Sequence, residues 1–132
     1  MTWEKENFPA ILNVWFGGCE SADAICDVLF GDKVPSGKLT ATMPKSVGQI
    51  PLFYNHLNTG RPLEDGKWFM KFRSNYLDID NEPLYPFGYG LSYTTFRYGK
   101  PSLSSTILSE NGKILISVDV TNTGNYDAEE IV

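Results

Sequence analysis

The chain has 132 residues, 42% of them hydrophobic and 14% aromatic, with a formal net charge of −5. That size and composition suit one folded domain with a modest core and exclude a disordered segment. The acidic balance, with 11 Lys and Arg scattered along the chain, excludes a nucleic-acid partner, because phosphate binding needs a basic face.

The polar start, Met1-Thr-Trp-Glu-Lys-Glu-Asn7, leads into the apolar run Phe8–Phe16. No basic segment precedes that run, so it reads as a buried strand rather than a signal peptide, closed by Gly17-Gly18. No apolar stretch approaches membrane-spanning length. Ala22, Ile25, Cys26, Leu29 and Phe30 then recur at helical spacing and define an apolar stripe. Glu20 or Ser21 can start this helix, Asp23 suits its first turn, and Gly31 stops it. Strand, Gly-Gly turn and helix make half of an α/β unit.

Cys19 and Cys26 would stand about 10 Å apart on one helix, too far for a disulfide, so reduced, buried thiols are expected. With His56 as the single histidine there is no zinc spacing. Pro35-Ser-Gly37 is a turn, and Lys38–Met43 alternates like a half-buried strand. Residues 44–66 are rich in Pro, Gly and Asn and read as a long excursion of the kind that serves function or an interface. Trp68–Phe72 and Tyr76–Ile79 each read as a short strand.

The run Pro83-Leu-Tyr-Pro-Phe-Gly-Tyr-Gly-Leu-Ser-Tyr-Thr-Thr-Phe96 holds five aromatics among two prolines and two glycines. It cannot be a regular helix, and that much aromatic surface favours burial. We read it as a connector wedged between two packed units. Trp3, Trp15, Phe16 and Phe30, like the rings of the connector, read as core or interdomain packing. Beyond it, Thr95–Tyr98, Ser102–Leu108 and Ile114–Val120 are strand-like, with Glu110–Lys113 and Thr121–Asn125 as turns, and Glu129–Val132 starts another strand. So few strands fall short of a β-sandwich, which needs about seven, and the C-terminal domain is expected to be cut short.

Taken in order, several blocks resemble the C-terminal half of glycoside hydrolase family 3, the β-glucosidase and β-xylosidase type. They are Ala10-Ile-Leu-Asn-Val-Trp-Phe-Gly-Gly-Cys-Glu20, Ala24-Ile-Cys-Asp-Val-Leu-Phe-Gly-Asp32, and Pro35-Ser-Gly-Lys-Leu-Thr40 with Met43-Pro44. Gln49-Ile-Pro-Leu-Phe-Tyr-Asn-His56 with Gly60-Arg-Pro62, the aromatic run, and Val118-Asp-Val-Thr-Asn-Thr-Gly124 complete the set. The family usually has Pro where this chain has Gly17, and often Gly at Ser21-Ala22; both departures touch a turn.

The resemblance implies an α/β fold, a fragment of an α/β sandwich, followed by a partial all-β fibronectin type III-like sandwich. Residues 1–80 would be the end of the α/β domain, 81–96 the connector and 97–132 the truncated fibronectin-like domain. It implies a retaining β-glycosidase acting at non-reducing ends, with a carbohydrate substrate and no cofactor. The nucleophilic Asp would belong to a missing N-terminal barrel domain, and the acid/base Glu would also precede Met1. No catalytic residue is therefore assigned to this chain, and its localisation stays open, although family members are often exported.

Among the acids, Glu20 matches a family motif at a turn but reads better as a helix-start residue, and Asp27 and Asp32 as solvated or turn-forming groups. The loop Tyr54–Arg61 is the candidate for sugar contact. His56 and Arg61 could hydrogen-bond hydroxyls, while Phe53, Tyr54 or Trp68 could stack on a ring; the competing reading is an interface loop. Gly88-Tyr-Gly90 lacks the strand-to-helix context of a phosphate loop, and no nucleophile-elbow serine accompanies His56. Three functions thus compete: part of a glycosidase, a non-catalytic scaffold, and, least favoured for a helix-bearing chain, a free carbohydrate-binding module.

Overall fold

The computed structural model describes residues 1–64 and 66–132. Its elements are α1 (Thr2–Asn7), α2 (Ser21–Phe30), a 3₁₀ turn (Val47–Gln49) and four short strands, β1 (Phe96–Tyr98), β2 (Ser102–Leu103), β3 (Ile116–Ser117) and β4 (Val120–Asn122). The chain divides into two compact units, one of residues 1–16 and 38–90, the other of residues 17–37 and 91–132.

In the first unit, α1 forms at a terminus that carried no helix expectation. Its Thr2 hydroxyl donates to Lys45 O (2.9 Å), and its Lys5 ammonium donates to Leu84 O (3.3 Å) while lying over the Tyr85 ring. Residues 38–43 run beside 84–90 through Leu39 N to Tyr89 O, Gly88 N to Leu39 O and Met43 N to Tyr85 O, at 2.7–2.8 Å. The alternation read in Lys38–Met43 therefore does mark an extended segment, but only the Met43–Tyr85 bridge is strand-like. Leu84 and Gln49 are buried here.

Several expectations are corrected in this unit. Phe8–Phe16 is not a buried strand: it has no ladder partner among the described residues, and Trp15 and Phe16 are exposed. Trp68–Phe72 and Tyr76–Ile79 are turns and irregular chain instead of strands. The connector rings Phe87 and Tyr89 are partly exposed; Tyr54 stacks on Phe87 at 4.6 Å, and Tyr85 lies 4.9 Å from Tyr89. Trp3 is likewise exposed, with its edge against Phe8, so it is not a core residue.

In the second unit, α2 ends where the sequence says it should. Gly31 adopts the left-handed conformation, φ 86°, and donates to Val28 O. Glu20 occupies the N-cap position without a side-chain bond. The half-buried residues of α2, however, are Ser21, Ile25, Asp27 and Val28, offset from the expected stripe, of which only Ile25 is half-buried. The Tyr93 hydroxyl, donating to Val28 O at 2.7 Å, holds this face inward and leaves Leu29 and Phe30 exposed. The thiols of Cys19 and Cys26 are free as expected, but both are exposed, because Cys19 lies in the exposed turn before α2 and Cys26 on the exposed face of that helix.

The strands form one bent antiparallel ribbon. Phe96 faces Asn122 and Tyr98 faces Val120, then Ser102 faces Ser117 and Leu103 faces Ile116. Between these pairs the outgoing strand advances one residue more than its partner, a bulge at Gly99-Lys-Pro101, where Pro101 could not donate to a ladder. The ribbon tip turns through Gly112 N to Ser109 O. The strand expected over Ser102–Leu108 stops at Leu103, and none starts at Glu129. The single strand expected over Ile114–Val120 is split into β3 and β4, and β4 runs into the expected Thr121–Asn125 turn; Ile114 is half-buried while Ile116 stays exposed.

Candidate functional site

The 44–66 excursion and the chain that follows it to Pro83 are organised around one side chain. Gln49 is fully buried; its Oε1 accepts from Lys45 N (2.7 Å) and Ser46 N (3.3 Å), and its Nε2 donates to Asp80 O (3.0 Å) and Glu82 O (3.1 Å). Ser46 and Gln49 form a capping box on the 3₁₀ turn, and the Tyr76 hydroxyl donates to Gln49 O at 2.8 Å. The cis Ile50–Pro51 bond follows directly. This hub went unread, although Ser46-Val-Gly-Gln49 is a visible capping signature.

Beside it, the Lys45 ammonium meets both carboxylate oxygens of Asp80, at 2.6 and 2.8 Å. That hydrogen bond holds the Asp80 carboxyl below its ordinary value, assisted by the Glu82 amide and opposed by partial desolvation. A depressed folded-state pKa adds stability above about pH 4 that disappears as acid protonates the folded carboxylate. Because Asp80 is more than a third exposed, we expect Asp80→Asn to cost no more than about 1 kcal/mol at neutral pH. Urea midpoints of the two proteins should converge as acid protonates the folded Asp80 carboxylate; a constant difference would disprove the linkage.

Asp80, Glu82 and Thr42 border an open hollow of about 380 Å³ whose far side is the 52–59 loop, including Tyr54 and His56. His56 is exposed; its Nδ1 lies 3.5 Å from Leu57 O, and its ring meets the edge of Phe53. The buried Thr42 Oγ1 and Asn81 Oδ1 have no partner among the described residues, each costing on the order of 1–3 kcal/mol.

Arg61 is not part of that wall. With Lys71, Phe72 and Arg73 it lines a shallower hollow of about 420 Å³. The two sequence-predicted contacts, His56 and Arg61, therefore border different depressions of the first unit. Ser74 explains the second one: its amide donates to Arg61 O (2.9 Å) and its hydroxyl pairs with that of Thr59 (2.5 Å), pinning residues 59–61 against the 70–73 turn. In that turn Arg73 N reaches Met70 O, and Phe72 takes φ 65°, a left-handed conformation that is costly for a bulky residue.

Among the described residues no group of three or more His, Cys, Asp or Glu could hold a metal, and no helix is long and apolar enough to cross a membrane.

Residues 1–93 match the glycosyl hydrolase family 3 C-terminal domain. The chain is 53% identical over 98% of its length to a periplasmic β-glucosidase from Salmonella typhimurium, and 45% identical over 96% to a β-xylosidase from Formosa agariphila. It spans only 17% and 16% of those relatives. A crystal structure of a β-glucosidase from Listeria innocua in complex with gluconolactone superposes with a TM-score of 0.76 at 43% identity, covering 83% of this chain and 15% of that one. A β-glucosidase from Erythrobacter marinus superposes with a TM-score of 0.77 at 43% identity, covering 92% of this chain and 15% of that one. The blocks that suggested the resemblance thus lie in a continuous match, and the chain belongs to the glycosyl hydrolase family 3 C-terminal domain family.

Proposed function

We propose that this chain is the C-terminal portion of a family 3 glycoside hydrolase that removes β-linked glucose or xylose from non-reducing ends with retention. The observation that carries this reading is 53% identity, over nearly the whole chain, to a relative named as a β-glucosidase. In this reading residues 1–80 close an α/β sandwich, 81–96 connect, and 97–132 begin a fibronectin type III-like domain, while a barrel domain supplies the nucleophile. The end of the family match at residue 93, inside the aromatic run, supports that division.

Within the enzyme this chain supplies shape and substrate contact, and the reacting carboxyls come from elsewhere. A general acid in glycoside hydrolysis needs its pKa raised, and its partner carboxylate stands about 5 Å away in a retaining site. Asp80, on the hollow wall, is shifted the other way and is held by Lys45. Glu64, also on that wall, pairs with Arg73 at 3.7 Å. We expect the purified chain to leave a chromogenic aryl β-glucoside intact. Turnover above background would remove the non-catalytic role.

His56 and Arg61 are the proposed sugar contacts. The support is that His56 edges a hollow carrying an aromatic ring and several polar groups, the usual makeup of a small-ligand site. In a full-length relative carrying the same residues, alanine at either position should raise KM about 3- to 10-fold with little change in kcat, the mark of uniform binding. Unchanged kinetics at either position would remove that residue from the path of the neutral sugar.

A further inference from the structure

Basic residues that look dispersed in the sequence converge in the second hollow. Arg61, Lys71 and Arg73 line it together, ten and two residues apart, because Ser74 clamps the Arg61 backbone to the 70–73 turn. Among the described residues, the carboxylate paired with these three cations is Glu64, at 3.7 Å from the Arg73 guanidinium. Arg61 and Lys71 have no acidic side chain within ion-pair distance among the described residues. Like charges gathered on a fixed backbone in an acidic protein repel one another until an anion joins them, and guanidinium groups match a carboxylate geometrically.

The fourth lining residue adds an apolar surface. Phe72 is 73% exposed, held outward by its left-handed backbone, and the Lys71 ammonium lies 4.8 Å from its ring centre. An exposed ring beside cations suits a ligand with both an apolar ring face and a negative group. A free inorganic anion has no use for the ring, and a neutral sugar, though it can accept a hydrogen bond from Arg61, leaves the positive charges unbalanced.

We propose that the Arg61–Lys71–Phe72–Arg73 hollow is a subsite for an acidic sugar, its carboxylate taken by the cations and its ring by Phe72. The oxyanion contact stands on the geometry alone; that its bearer is a sugar rests on the glycosidase reading above. The subsite is lined by residues other than those of the His56 hollow, so it would take a uronate-bearing glycan independently of that hollow.

The test is a titration of the isotope-labelled full chain with glucuronate, followed by amide chemical shifts. We expect the amides of Arg61 and Lys71 to Ser74 to move, with millimolar affinity. Raising salt from about 10 mM to about 1 M shrinks the Debye length from about 30 to about 3 Å and should weaken binding at least about 10-fold. Lys71→Gln and Arg61→Gln should each weaken it about 3- to 10-fold without altering the melting temperature, and Phe72→Ala should weaken glucuronate but leave acetate unchanged. His56→Ala should leave this binding as it is, so the subsite can survive even if the His56 contact fails.

Glucose moving the same amides equally would overturn the role of charge. Inorganic phosphate or acetate binding as well as glucuronate would overturn the acidic sugar, and absence of shifts at these residues would overturn the subsite.

Discussion

Replacing Gln49 by alanine is expected to lower unfolding free energy by about 3–4 kcal/mol, the largest effect of any single side chain in the first unit. Its amide makes four hydrogen bonds, two in each direction, with no exposure to water. Truncation leaves the amides of Lys45 and Ser46 and the carbonyls of Asp80 and Glu82 without that partner. The melting temperature should fall by roughly 10 °C or more. Gln49→Glu is informative because it keeps the shape: at neutral pH it faces two carbonyls with an oxygen, next to the Asp80 carboxylate. It should be nearly as damaging at pH 7 and should recover partly in acid, where the new carboxyl can donate again. Hydrogen exchange at Leu84, whose amide donates to Met43 O, reports the same loss locally. A Gln49→Ala protein within about 1 kcal/mol of the parent would mean that the hub is not what holds the excursion.

How far the fold could be read from residues depended on whether the deciding interaction was local. Gly31 stops α2 because a left-handed residue ends a helix wherever it stands, and that is visible in one position. The capping box at Ser46 and Gln49 is equally local and was legible in principle. The face that α2 turns inward was not, because a distant hydroxyl, Tyr93, chooses it by bonding Val28 O. Phe8–Phe16 shows the other limit: an apolar run says that it needs cover, while a strand also needs a partner, and none of the described residues pairs with it. The candidate site divides in the same way. The composition of Tyr54–Arg61 pointed to the loop, but not to the separation of His56 from Arg61. That separation follows from the Ser74–Arg61 backbone bond across the loop, which no spacing rule contains.

The second unit should be most sensitive at Gly124. A methyl group there would overlap the Thr94 hydroxyl and stand 2.9 Å from Thr95 N and 3.1 Å from Thr94 Cα, so backbone has to move. The site closes the wide end of the ribbon. Thr94 is buried, its hydroxyl donates to Asn122 Oδ1 (2.7 Å), and the Gly124 amide donates to the same oxygen (3.0 Å). Thr123 N reaches Thr95 O one step further in. Pushing Gly124 outward therefore strains three bonds at once, and we expect Gly124→Ala to cost about 2–3 kcal/mol. Thr94→Ala alone should cost about 1–2 kcal/mol, through the lost bond and the unpaired Asn122 oxygen. Combining the two separates the causes. If the clash were with the Thr94 hydroxyl alone, the double variant would be no worse than Thr94→Ala. Because the Thr94 and Thr95 backbone atoms remain in the way, we expect the double variant to stay at least about 1 kcal/mol less stable than Thr94→Ala. A urea series on the four proteins measures this, with the amide exchange of Thr123 as the local readout, and full rescue in the double variant would refute the backbone clash.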